Sequence, residues 1–171
     1  MNIERLDFLP GTFSIEPGSS RDYFSLAQYH YRDRAPRTWA AVWVVRYASA
    51  NTERSNIIAV AVLSWPTAVN LGRENALGWR GLSYGEKIRR ANASVRTISR
   101  VIVHPQFRSL GLASELIRWV CNHCPTRYCE SSARMGRAHP LFTKAAMKRY
   151  EPLDPDRPVY FLWDRESAAS A

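Results

Sequence analysis

The stretch Val101-Ile-Val-His-Pro-Gln-Phe-Arg-Ser-Leu-Gly-Leu-Ala113 constrains the fold of this chain more than any other. A β-branched run meets a proline-led turn. An arginine, a spaced glycine and a small residue then open the amphipathic pattern Ser114-Glu-Leu-Ile-Arg-Trp-Val120. That order reads as strand, turn and helix. Gly111 has no side chain and Ala113 very little, so backbone N–H groups can close on an anion while the helix start adds partial positive charge. The residues imply a pyrophosphate site formed by Arg108, Ser109, Leu110, Gly111, Leu112, Ala113 and Ser114. No Lys-Ser/Thr pair follows the glycine, which argues against a P-loop, and the first glycine of the dinucleotide fingerprint is missing. A tight turn without any ligand is the plainer alternative.

Composition sets the outer limits. The chain has 171 residues, 46% of them hydrophobic, which suits one core and a single domain over 1–171. No run approaches the roughly 18 apolar residues of a membrane span, and the polar start Met1-Asn-Ile-Glu-Arg5 is unlike a secretory leader, so no membrane partner is expected. Cys121, Cys124 and Cys129 cannot all pair, which suits a reducing cytoplasm. The net charge of +9 is carried by 21 arginines and three lysines. Arginine is the better fork for phosphates, so nucleic acid, or at least an acidic partner, is expected, although a GC-rich genome would also raise the arginine count.

Strands are expected at Thr12–Glu16, Trp39–Tyr47, Ile57–Trp65, Val95–Val103, Thr126–Glu130 and Val159–Trp163. A helix follows Ser20 and carries Tyr23, Phe24, Leu26 and Ala27, and the helix opened by Ser114 runs to about His123. Residues 66–93 read mostly as connection with a short helix from Ser83 to Asn92, and a last helix is expected from Pro140 to Tyr150. Long connections tend to be lids or substrate loops.

The spacing Val103-x-Pro105-x-x-Arg108-x-x-Gly111-x-Ala113 closely resembles the acyl-CoA-binding motif of the GNAT acetyltransferase superfamily, and the element order resembles its whole fold from about residue 11 to 163. The resemblance implies an α/β (α+β) fold, with a mixed, mostly antiparallel sheet that splays beyond its central strand and is flanked by helices. It also implies acetyl-CoA as the cofactor, its pantetheine arm paired with backbone at Val101, Ile102 and Val103. Many members carry a tyrosine where this chain has Phe142, as the acid that reprotonates the departing thiolate. Phenylalanine has no transferable proton, so water, Tyr128, Tyr29 or Tyr31 would have to supply it.

In that fold His30, Glu130 and His139 fall at element ends on the acceptor side. Two imidazoles and a carboxylate make a facial-triad ligand set for iron or zinc, and equally an acid–base set. Taken singly, each histidine also fits a surface or capping position, as His104 fits the cofactor turn and His123 a helix end. Tyr29-His30-Tyr31 further resembles the Mom-type phage branch of the superfamily, which modifies adenine in DNA. That resemblance implies catalytic roles for His30, Tyr31 and Glu130 and a substrate role for Arg100, and His139 joins the catalytic set by its place just before the last helix. Arg32, Arg34 and Arg37 flank His30, while Arg134 and Arg137 lie near Glu130 and His139, placed to hold phosphates or simply to form a solvated face. Trp39, Trp43 and Trp65 read as strand residues of the core, leaving Trp79 in the polar connection to stack on a base. The three cysteines read as core thiols in preference to a zinc site. The expected activity is acyl transfer to an amine on a DNA base. A plain N-acetyltransferase of a small amine, peptide or tRNA and a non-catalytic binding module are the alternatives.

Overall fold

The computed structural model describes residues 11–31, 34–49 and 55–168. Seven strands form one sheet in the order β1-β2-β3-β4-β5-β7-β6: β1 (Gly11–Pro17), β2 (Ala41–Ser49), β3 (Ser55–Ser64), β4 (Val95–Val103), β5 (Tyr128–Ala133), β6 (Lys148–Tyr150) and β7 (Val159–Asp164). Every neighbouring pair is antiparallel except β4 and β5, which run parallel and so need a crossover. The helices are α1 (Ser20–Leu26), α2 (Leu71–Ala76), α3 (Tyr84–Ser94), α4 (Leu112–Asn122), α5 (Leu141–Lys144) and α6 (Arg165–Ala168). The crossover is α4.

Two helices cover opposite faces of the central strands. From α4, Leu116, Ile117, Val120 and Cys121 pack on Ala59, Ala61, Leu63 and Ile98. From α1, Tyr23 and Leu26 pack on Val42, Val44, Val60, Val62 and Ile102. Because both faces are covered, β3 is buried without alternation from Ile58 to Ser64. Ser19 caps α1, with the Asp22 carboxylate accepting from its N–H and its hydroxyl; that hydroxyl bond chiefly holds the Asp22 pKa below the ordinary carboxylate value.

Two segments depart from the sequence expectation. The connection 66–93 holds α2 as well as α3; α2 is capped by Asn70, and its buried residues are Arg73 and Glu74, so it carries no apolar periodicity to recognise. The last helix stops after one turn. Ala146 takes a left-handed φ of 64°, and Lys148–Tyr150 then pairs with β7 as an edge strand.

Candidate active site

Sheet geometry builds an opening at the middle of β4. The parallel pairing of β4 with β5 covers Val95 with Tyr128, Arg96 with Cys129 and Thr97 with Glu130, and ends there. One step on, the Ser131 hydroxyl donates to the Ile98 carbonyl at 3.0 Å, a side-chain bridge where backbone pairing stops. On the opposite edge of β4, Val62 pairs with Arg100 and Leu63 with Ile98, which leaves Ser99 as the extra residue of a β-bulge. The Ser99 hydroxyl lies 2.7 Å from that of Ser64, which donates to the Thr38 carbonyl. Beyond the bulge, Val101, Ile102 and Val103 pair with Ala61, Val60 and Ala59 of β3. Alternate residues of β4 therefore turn backbone groups towards an edge with no paired strand beside it.

The turn at the end of β4 completes the concavity. Pro105–Phe107 forms a 3-10 turn, Ser109 has a φ of 66°, and Gly111 caps α4 with a φ of 82°. Only glycine takes that conformation without strain, and a Cβ placed there would meet no atom within 4 Å. The space beside Gly111 is thus open. The first helical bonds return from the Ser114 and Glu115 N–H groups to the Gly111 carbonyl, so the amides of Leu112 and Ala113 precede the ladder and are orphan donors. The exposed Arg108 reaches back, Nε to the Val103 carbonyl at 3.2 Å and a terminal nitrogen to the Tyr29 carbonyl at 3.3 Å. Leu112 is buried in the core, Leu110 packs against it, and the Ser114 hydroxyl donates to the Leu141 carbonyl at 3.2 Å, which ties α4 to α5.

On the α1 side, Tyr29 and Arg34 each reach β4 or the turn after it. Tyr29 packs edge-on to His104 at 4.9 Å between centroids, and His30 stacks on the exposed Tyr31 at 4.6 Å. Further along, Arg100, 9% exposed, donates to the carbonyls of Ser99 (2.7 Å) and Arg34 (2.8 Å), while its Nε has no partner. Arg34 and Arg37 are exposed; Arg32 lies outside the described residues.

The proposed metal set is not assembled. Glu130, 1% exposed, accepts from Arg73 through both carboxylate oxygens (2.9 and 2.6 Å), from the Thr97 hydroxyl (2.7 Å) and from the Tyr160 hydroxyl (2.8 Å). A carboxylate so saturated has no lone pair left for a metal ion. Burial pulls the Arg73 pKa down, but the hydrogen bond and charge of Glu130 outweigh it and leave it raised. Burial first, then the Glu130 charge, pushes the Tyr160 hydroxyl well above its usual value, so it stays a donor. His30 sits at the other end of β4: Tyr29 abuts His104, seven residues past Thr97, which is roughly 20 Å of strand. His139 is exposed on the turn before α5, its N–H bonded to the Met135 carbonyl. Among the described residues no three His, Cys, Asp or Glu side chains converge as a metal site. The iron-or-zinc assignment to His30, Glu130 and His139 is therefore corrected, and Glu130 leaves the catalytic set.

Other expected residues sort by burial. Trp79, 9% exposed, packs with Ala91 and Val95 and is not a stacking surface, whereas Trp65 is 45% exposed. Phe142 is buried against the Phe161 ring at 4.8 Å, and Tyr128 pairs beside Val95 at the closed end of the opening. Arg134 and Arg137 are exposed on the 3-10 turn after β5, where Gly136 lets the turn lie flat on Phe161 and Val159. The three cysteines are buried free thiols. Sequence reasoning missed Arg73, Ser131 and the bulge at Ser99. Only the last had a signal, a small polar residue interrupting an otherwise β-branched strand.

Comparison with known proteins supplies the context. The family profile described as "Acetyltransferase (GNAT) family" matches residues 13–151. No curated protein matches the chain in sequence. Among solved structures, an aminoglycoside acetyltransferase, AAC(6')-Ib, in complex with coenzyme A and kanamycin is 16% identical, with a TM-score of 0.55 over 94% of this chain and 99% of its own. A KacTA–DNA complex is 11% identical, with a TM-score of 0.53 over 93% and 97%. An agmatine N-acetyltransferase is 12% identical, with a TM-score of 0.54 over 89% and 99%. At these identities the structural likeness establishes a shared fold.

Proposed function

The chain belongs to the acetyltransferase (GNAT) family, and on that premise we propose that it moves an acetyl group from acetyl-CoA to an amine carried by a nucleic acid. One observation carries the first half: the parted edge of β4 runs straight into a positive-φ turn with orphan amides at the start of α4. That is a cradle for a long ligand ending in a pyrophosphate. When bound, acetyl-CoA supplies a thioester carbonyl that an amine attacks, forming a C–N bond as the C–S bond breaks. Alternate backbone groups of Val101 to Val103 hold the extended arm, and Gly111, Leu112 and Ala113 hold the pyrophosphate with Arg108, which exchanges its carbonyl partners for phosphate oxygens. Water takes the proton that the attacking amine loses and returns one to the thiolate, because Phe142 is buried, Tyr128 lies at the closed end, and His30 and Tyr31 follow Tyr29 at the pyrophosphate end of β4.

Charge supports the nucleic-acid half. A body of +9 repels polycationic amines and attracts polyanions. The exposed Arg34 and Arg37 stand beside the buried Arg100 on the acceptor side, and Arg134 and Arg137 on the turn after β5. A base as acceptor, including adenine in DNA, fits this arrangement without a metal. The test is mass spectrometry of cellular DNA and RNA incubated with the protein and isotopically labelled acetyl-CoA. Label in a nucleoside or in a group esterified to RNA supports the reading, and label only in small amines or peptides overturns it.

A further inference from the structure

Trp65 stands one residue past β3 with its indole 45% exposed. The guanidinium carbon of Arg96 lies 3.7 Å from the ring centroid. That guanidinium is fixed, since one terminal nitrogen donates to the carbonyls of Asn92 (2.8 Å) and Val95 (2.7 Å). A held cation thus covers one face of the indole of a residue that is still 45% exposed. The Thr38 hydroxyl donates to the Trp65 carbonyl, which ties the tryptophan to the segment bearing Arg34 and Arg37. The preceding residue, Ser64, pairs with Thr97 of β4, two residues from the Ser99 bulge and within about 10 Å of it along the strand.

We infer that Trp65 and Arg96 form a stacking subsite for an unpaired nucleobase, so that the acceptor is presented by a single strand and not by a duplex. The inference rests on the nucleic-acid reading above and adds the strandedness and the residue that reads it. A flat aromatic surface backed by a cation has most to gain from a ligand with a free π-face. In a duplex those faces are taken by neighbouring bases, whereas a single strand offers them. A small cationic amine has no π-face and is repelled by Arg96. Phosphates on either side of the stacked base fall to Arg34 and Arg37, which carry no sequence preference.

The experiment is anisotropy titration of labelled oligoadenylate, single-stranded and as a duplex, with the parent, Trp65→Ala, Trp65→Phe and Arg96→Ala. Calorimetry of CoA binding on each protein runs alongside. Trp65→Ala weakens single-strand binding about 5- to 150-fold, and Trp65→Phe keeps it within about threefold. Duplex binding is weaker and indifferent to the ring, and CoA affinity is unchanged in all four proteins. Equal single-strand binding by the parent and Trp65→Ala, or a preference for duplex, overturns the inference. Failure of CoA binding in the parent strikes at the acetyltransferase reading instead, so the two fail separately.

Discussion

Around Glu130 four hydrogen bonds from Arg73, Thr97 and Tyr160 leave no capacity for anything else, and Gly72 of α2 lies so close to the Tyr160 ring that a Cβ there would collide with it. At the β4 edge from Ser99 to Val103, and at the turn leading into α4, backbone groups instead face an opening and a non-glycine residue holds a positive φ. Both regions adjoin the point where β4 and β5 part. One is polar and satisfied, and it holds the connection 66–77 onto the sheet. The other leaves backbone amides at the start of α4 without a partner among the described residues, and it is where a ligand belongs. Chemical residue type alone marks Glu130 as functional; its hydrogen-bond accounting marks it as structural.

The largest effect should come from breaking the satisfied region. Glu130→Ala strands the Arg73 charge in the core and should cost about 3–5 kcal/mol, read as a lower urea midpoint. A double-mutant cycle with Arg73→Met should recover part of it, since removing both charges leaves neither unpaired. Chelator treatment and metal analysis should leave activity and stability unaltered. A chelator-sensitive enzyme would reverse the reading of Glu130.

Next comes binding beside the open region. His30→Ala should raise KM for acetyl-CoA about 2- to 10-fold with kcat and the urea midpoint unchanged, because the ring follows Tyr29 at the pyrophosphate end of β4. A fall in kcat of about 100-fold would place His30 in proton transfer instead.

The smallest effect lies near the surface. Asp164 is held below the ordinary carboxylate pKa chiefly by hydrogen bonds from Arg127, and Asp22 chiefly by the Ser19 hydroxyl. Carboxylates lowered in the folded state contribute stability above the unfolded value near 3.9 and lose it as pH falls through their folded values. Tm should therefore fall below about pH 4. Asp164→Asn should remove part of that fall, by no more than about 4 °C, because the pair is near the surface. Identical acid profiles for parent and variant would show that the pair contributes nothing.

Local patterns were enough for six of the seven strands and for the turn into α4, because proline, glycine and β-branched runs act through the backbone of their own segment. Glu130 was misread because its partner Arg73 lies 57 residues away on a helix with no apolar stripe. Trp65 and Trp79 exchanged roles for a similar reason. Strand alternation says nothing about what packs over a strand end, and α3 buries Trp79 with Ala91 while Trp65 is left with Arg96. Helical spacing after Pro140 was real for one turn, but the left-handed Ala146 ended it without a glycine to announce the break.

The central claim is that the β4 edge and the start of α4 bind CoA. Titration calorimetry with the parent and Gly111→Asp tests it most directly. The substitution sets a carboxylate into the open space beside the orphan amides, at a φ that L-residues avoid. Binding of CoA at one site in the parent and a loss of about tenfold or more in the variant, with the urea midpoint lowered by no more than about 1 kcal/mol, is the predicted result. Equal CoA affinity in the two proteins would contradict it.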